Sequence, residues 1–91
     1  MDESDIARML YEHPSFKNIK GSWDYIDNEW LRCSWIDAVI TAKVAGALNE
    51  AEAFARALYE FPQWGYKQPW GRNPRVCAPW RKAAADVLGR L

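Results

Sequence analysis

Residues 61–82 read FPQWGYKQPWGRNPRVCAPWRK, and this tract constrains the fold more than any other part of the chain. It holds Pro62, Pro69, Pro74 and Pro79, four of the five prolines in the sequence. Each proline removes a backbone donor, fixes φ and disfavours helical geometry in the residue before it. An irregular connection is therefore expected at about residues 62–78. Connections longer than about 12 residues inside a compact domain are usually functional or disordered. The density of aromatics, with Trp64, Tyr66 and Trp70 close together, argues against disorder.

Helical patterns flank the tract. In SDIARMLYEHP, Ser4 is the expected N-cap, Ile6, Met9, Leu10 and His13 share a face, and Pro14 stops the helix. The connection that follows contains Gly21, with Phe16 and Ile19 as expected anchors. A second helix is expected from Ser22 or Asp27 to about Ala45, with Gly46 as its left-handed stop. Trp30, Leu31, Trp35, Ala38, Val39, Ala42 and Ala45 project to one broad side of it, and Ile36, Ile40 and Val44 to another. That pattern predicts burial on several sides. Asn49 and Glu52 suggest a capping box for a third helix carrying Ala51, Phe54, Ala55, Leu58 and Phe61. A last helix is expected from Pro79, with Trp80, Ala84, Val87, Leu88 and Leu91 inward and Arg81, Lys82, Asp86 and Arg90 in water.

The second and third helices should form an antiparallel hairpin. Ala38, Phe54, Ala57 and Pro62 fall at spacings similar to the small, aromatic, small and proline positions of a tetratricopeptide-repeat unit. The hairpin resembles that family in this respect only. Its tryptophan and first leucine are out of register and no second copy follows, so the resemblance implies a tight helical hairpin and no repeat array. No segment alternates like a strand. The expectation is one all-α domain over residues 1–91, a small helical bundle in which the hairpin is flanked by short N- and C-terminal helices.

A chain of 91 residues supports one modest core, and six tryptophans are many for it. The formal net charge of zero argues against a protein that coats nucleic acid or an anionic membrane. Its distribution is uneven: residues 1–60 carry eleven acids and six bases, a net −5, and residues 61–91 carry one acid and six bases, a net +5. The acidic start MDESDIARML lacks a signal-peptide pattern, and Arg32, Asp37 and Lys43 interrupt the longest apolar run, so a cytoplasmic protein is expected. Cys33 and Cys77 are then two free thiols.

No phosphate loop, HExxH, EF-hand or nucleophile elbow is present, and two cysteines with one histidine supply no familiar zinc spacing. No cofactor and no enzyme activity are expected. His13 next to Pro14 reads as a structural group, and Cys33, in an apolar helix, as a small hydrophobe. Cys77, near Arg75, Arg81 and Lys82, would be reactive if exposed. Asp24, Asp27 and Glu29 are acids expected at a helix start.

The tract itself supports three readings. It could clasp the hairpin, bind a protein through aromatic and arginine anchors, or bind nucleic acid through its cations. The functional expectation is a non-enzymatic protein-interaction module, with partner-binding residues Trp64, Tyr66, Lys67, Trp70, Arg72 and Arg75. Its partner would be an acidic protein surface or a second copy in a homodimer. The alternative is a small nucleic-acid-binding or transcriptional accessory protein. In size and general character the chain resembles small phage or mobile-element inhibitors, anti-CRISPR proteins among them, which implies inhibition by occlusion.

Overall fold

The fold was obtained as a computed structural model, which describes residues 2–16, 23 and 29–91. The chain is all-α, with helices α1 (Glu3–Tyr11), α2 (Glu29–Val44), α3 (Ala51–Tyr59) and α4 (Pro74–Leu88). Short 3-10 turns lie at Ala47–Asn49 and Pro62–Trp64, and no strand occurs among the described residues. The expectations for Ile19, Gly21, Asp24 and Asp27, for the side chain of Trp30 and for a helix start at Ser22 or Asp27 lie outside the described residues.

α1 starts earlier than Ser4 because Asp2 is the better-placed cap. Its carboxylate accepts from the backbone N–H of Asp5 at 2.9 Å, and Glu3 and Asp5 then both lie in the first turn, at the positive helix end. Ile6, Ala7, Leu10 and Tyr11 are buried. His13, two residues beyond the helix, is buried as well.

α2 buries one side only. Trp35, Ala38, Val39 and Ala42 are in the core, whereas Ile36 is half-buried, Ile40 is 41% exposed and Val44 is 83% exposed. The expectation of burial on several sides is therefore corrected: the other described elements gather along the Trp35 side and leave Ile40 and Val44 exposed. Gly46, at φ 74°, ends the helix as its left-handed stop.

The cap of α3 is Glu50, not Asn49, which is taken up in the preceding 3-10 turn. The Glu50 carboxylate accepts from the backbone N–H groups of Glu52 and Ala53, both at 3.2 Å. Phe54, Ala55, Leu58 and Tyr59 are buried along the inner face.

α4 begins five residues earlier than expected. Asn73 is its N-cap, with the side-chain oxygen accepting from the Arg75 N–H at 3.1 Å, and Pro74 occupies the first helical position, where its missing N–H costs nothing. Pro79 lies inside the helix and removes one donor, the one that would bond the Arg75 carbonyl. Starting the helix at Pro74 brings Cys77 onto the same buried face as Trp80 and Ala84.

α2 and α3 do pack together, but the most extensive helix–helix contact is α3 on α4, followed by α1 on α2. The hairpin is thus one contact of a four-helix arrangement rather than its centre. Trp35 ties the arrangement together. Its ring lies 5.9 Å from Tyr11, 5.8 Å from Phe16, 5.0 Å from Trp64 and 5.8 Å from Trp80, the last pair stacked. Aromatic pairs of this geometry contribute about 0.5–1.5 kcal/mol each beyond area burial. Most of the tryptophan excess therefore serves packing: Trp23, Trp35 and Trp80 are buried, and Trp64 and Trp70 are half-buried.

Candidate functional site

The irregular part of the tract runs from Gly65 to Asn73 and is fastened to α3 and α4 at several points. Pro62 opens a 3-10 turn that leads Trp64 back toward the core, where its indole N–H donates to the Leu58 carbonyl at 2.8 Å. Gly65 and Gly71, at φ 71° and 87°, supply the two left-handed bends that fold the arm over, conformations that L side chains resist. Between them the Tyr66 ring stacks on Tyr59 at 4.6 Å, and the Tyr59 hydroxyl donates to the Gln68 carbonyl at 2.7 Å. Burial holds the Tyr59 phenol above the usual tyrosine range, which keeps that hydroxyl a donor.

The far end of the arm is held by an ion pair. Arg81 donates from Nε to Glu52 Oε2 at 2.7 Å and from a terminal nitrogen to Oε1 at 3.0 Å, a two-bond contact between α4 and α3. Its guanidinium lies 4.8 Å from the centre of the Trp70 ring, and the Trp70 indole N–H donates to Glu52 Oε1 at 3.0 Å. The hydrogen bonds from Arg81 and Trp70 hold the Glu52 carboxyl below its ordinary range, and Glu52 in turn raises Arg81. The backbone N–H of Gly71 donates to Cys77 Sγ at 3.3 Å.

Against the sequence expectations, Trp64 and Trp70 are half-buried and turned to the clasp, Tyr66 keeps about half its surface in water, and Lys67, Arg72 and Arg75 are exposed. Lys67, Arg72 and Arg75 form no ion pair among the described residues. By contrast, Arg8 pairs with Glu12, Lys43 with Glu3, Arg56 with Glu60 and Arg81 with Glu52. The basic end of the chain is thus answered by its own acids at Arg81 and left open at the arm.

The condition set for Cys77 is not met, and the expectation for Cys33 is corrected. Cys77 is fully buried, because the early start of α4 turns it inward, so the basic residues near it in sequence do not make an accessible thiolate. Cys33 is exposed, because it lies off the single buried stripe of α2. Both thiols are free.

His13 is structural, through contacts that its place before a proline does not announce. Its Nδ1 accepts from the Ser15 N–H at 3.1 Å, so the proton sits on Nε2 and is donated to Asp86 Oδ2 at 2.7 Å. That contact joins the end of α1 to α4 and holds the Asp86 carboxyl below its ordinary range. Sequence reasoning missed this pair and the Glu52–Arg81 clasp. The signal for a basic face was present, since Arg75, Lys82, Asp86 and Arg90 recur at helical spacing, but only if the helix is started at Asn73-Pro74.

Among the described residues, no group of three or more His, Cys, Asp or Glu side chains could hold a metal ion, and no helix is long and apolar enough to cross a membrane. Comparison with protein-family models, with curated proteins and with solved structures gave no match.

Proposed function

We propose that this protein is a non-enzymatic binding module that presents the outer side of its clasped arm to an acidic surface on another protein. The observation that carries the reading is the contrast between the two sides of the arm. Its inner side is fixed by Trp64, Tyr59 and the Glu52–Arg81 pair, while Tyr66 keeps half its surface in water and Lys67, Arg72 and Arg75 are exposed and form no ion pair among the described residues. A surface fixed before binding loses little freedom on association, and Tyr and Arg are the residue types that dominate interface energies. Trp64 and Trp70 act from behind, as supports of that surface.

On this reading the module works by occlusion, in the cytoplasm, in the manner of a small phage-type inhibitor that covers a site its target needs. A second copy also suits this surface, since the chain carries acidic and basic parts of equal and opposite net charge.

The test is capture of partners at two salt concentrations with the natural chain and with Lys67→Glu/Arg72→Glu, together with light scattering of the purified protein. The expected result is a stoichiometric protein complex that survives moderate salt and is lost in the double variant while its melting curve is unchanged. Recovery of nucleic acid with a steep salt dependence would replace this reading with the accessory-protein one.

A further inference from the structure

The outward face of α4 carries a second feature, which shares only Arg75 with the arm. Arg75, Lys82 and Asp86 stand at i, i+7 and i+11, a spacing that keeps them on one side of the helix, and Arg90, just past its end, lines the same groove. With His13, Pro14 and Ser15 on the opposite wall, and with Ala78 and Pro79, they line an open groove of about 620 Å³. Arg75, Lys82 and Arg90 are exposed and form no ion pair among the described residues. The single acid, Asp86, is held at the wall by the buried His13.

The spacing of the cations selects among anionic partners. At about 1.5 Å of rise per residue, Arg75 and Lys82 are about 10 Å apart along the axis, and Arg90 stands two residues past the last helical residue, Leu88. A polyproline II chain advances about 3.1 Å per residue with three residues per turn, so acids at every third position line one edge about 9 Å apart. Long Lys and Arg side chains absorb the difference. Asp86 lies between Lys82 and Arg90, so a continuous polyanion would set a charge against it, whereas widely spaced acids step over it. Nucleic acid carries its phosphates far more densely than this.

We propose that the α4 groove binds an extended, proline-containing acidic segment of a protein, with acids at every third residue paired to Arg75, Lys82 and Arg90 and small apolar residues lying over Pro14, Ala78 and Pro79. The inference rests on the reading of the protein as a binding module, and it names the class of segment that the module takes beside the arm. Asp86 acts as the discriminator against denser anions.

Fluorescence anisotropy with a labelled twelve-residue peptide of Glu-Pro-Ala triplets tests this. Saturable, salt-weakened binding is expected, reduced at least ~10-fold by Lys82→Glu/Arg90→Glu and less by Lys82→Gln/Arg90→Gln, with unchanged circular-dichroism melting of both variants. A peptide of the same composition with its glutamates in one block should bind several-fold more weakly. Equal binding of the block peptide, displacement by a single-stranded oligonucleotide of equal charge at equal concentration, or indifference to both double variants overturns the proposal. If the triplet peptide fails to bind while the arm still captures its partner, the groove assignment falls and the binding-module reading stands. If the arm variant loses its partner while the peptide binds as before, the two surfaces are independent and the groove assignment is upheld.

Discussion

Two aromatic clusters sit a few residues apart in the same molecule and are held by different forces. The inner one, Tyr11, Phe16, Trp35, Trp64 and Trp80, is a set of rings packed against each other from α1 and the segment after it, α2, α4 and the turn after α3. The outer one lays half-exposed Tyr66 and half-buried Trp70 over the buried Tyr59 and adds polar handles to its ring contacts: the Tyr59 hydroxyl on Gln68, the Trp70 indole on Glu52 and the Arg81 cation over the Trp70 ring. Packing among buried rings has no directional partner to lose but leaves a cavity when a ring is removed. Polar handles are weaker in water and are sensitive to charge. The same residue types therefore serve the fold in one place and the shape of a surface in the other.

The sharpest break of this comparison is Trp35→Ala. It removes the ring that touches four others, and truncating a buried tryptophan costs about 3–5 kcal/mol. Domains of this size are stable by only about 5–10 kcal/mol. The variant is expected to be largely unfolded or to melt far below the natural chain by urea titration. A loss under about 1 kcal/mol would mean that the inner cluster does not hold the four helices together.

Trp64 belongs to the inner cluster and ends the turn that leads into the arm carrying Tyr66 and Trp70, so it measures the coupling of the two. It packs on Trp35 and Phe61 while its N–H caps the Leu58 carbonyl, and it is only half-buried. Trp64→Ala is expected to cost about 2–3 kcal/mol, between the values for the inner and outer rings. It should also raise hydrogen exchange at the Gly71 N–H, which the arm holds against Cys77. Destabilisation without faster exchange there would separate the arm from the core.

The legibility of these two regions in the sequence differs for the same physical reason. Phe54, Leu58, Trp35, Val39 and Trp80 are found by periodicity alone, because burial imposes the 3.6-residue repeat. The capping residues were less legible: Asp2 and Glu50 displaced Ser4 and Asn49, since several side chains within one turn can serve the same N–H groups and tertiary contacts choose among them. The start of α4 was misplaced because two prolines, Pro74 and Pro79, both suit a first turn, although the capping Asn73 precedes only Pro74, and the burial of Cys77 agrees with that start. The one-sided burial of α2 was not legible at all. Ile36, Ile40 and Val44 are as apolar as the buried stripe, and nothing local says which side the other helices will cover. Of the candidate site, the aromatic and basic residues stood out by composition. Glu52 and Arg81, which fasten them, are joined across 29 residues and carry no local signal.

Trp70→Ala tests the outer cluster alone. It removes an edge contact with Tyr59, a cation–π contact with Arg81 and a hydrogen bond to Glu52, all at a partly wet site. The expected cost is about 1–2 kcal/mol. Protease cleavage after Lys67 or Arg72 should rise by roughly the same factor as the arm loosens. Cleavage unchanged from that of the natural chain would mean that the arm is held elsewhere.

The smallest effect isolates the charge in the outer cluster. Exposed ion pairs contribute about 0–1 kcal/mol, so Glu52→Gln at neutral pH should cost no more than that. The sign of its pH dependence is fixed by the direction of the shift. Arg81 and Trp70 hold Glu52 below its ordinary value of 4.5, so the folded protein binds that proton later than the unfolded chain does. The contribution is complete above about pH 4.5 and disappears as the pH falls through the lower, folded value. Glu3, held down by Lys43, and Asp86, held below its ordinary 3.8 by His13, act in the same direction and remain in the variant. Urea midpoints of the natural and Glu52→Gln chains should therefore differ slightly at neutral pH and converge as the solution is acidified, while both chains lose stability together. A gap that persists undiminished in acid would show that Glu52 supports the arm through its shape and hydrogen bonds and not through its charge.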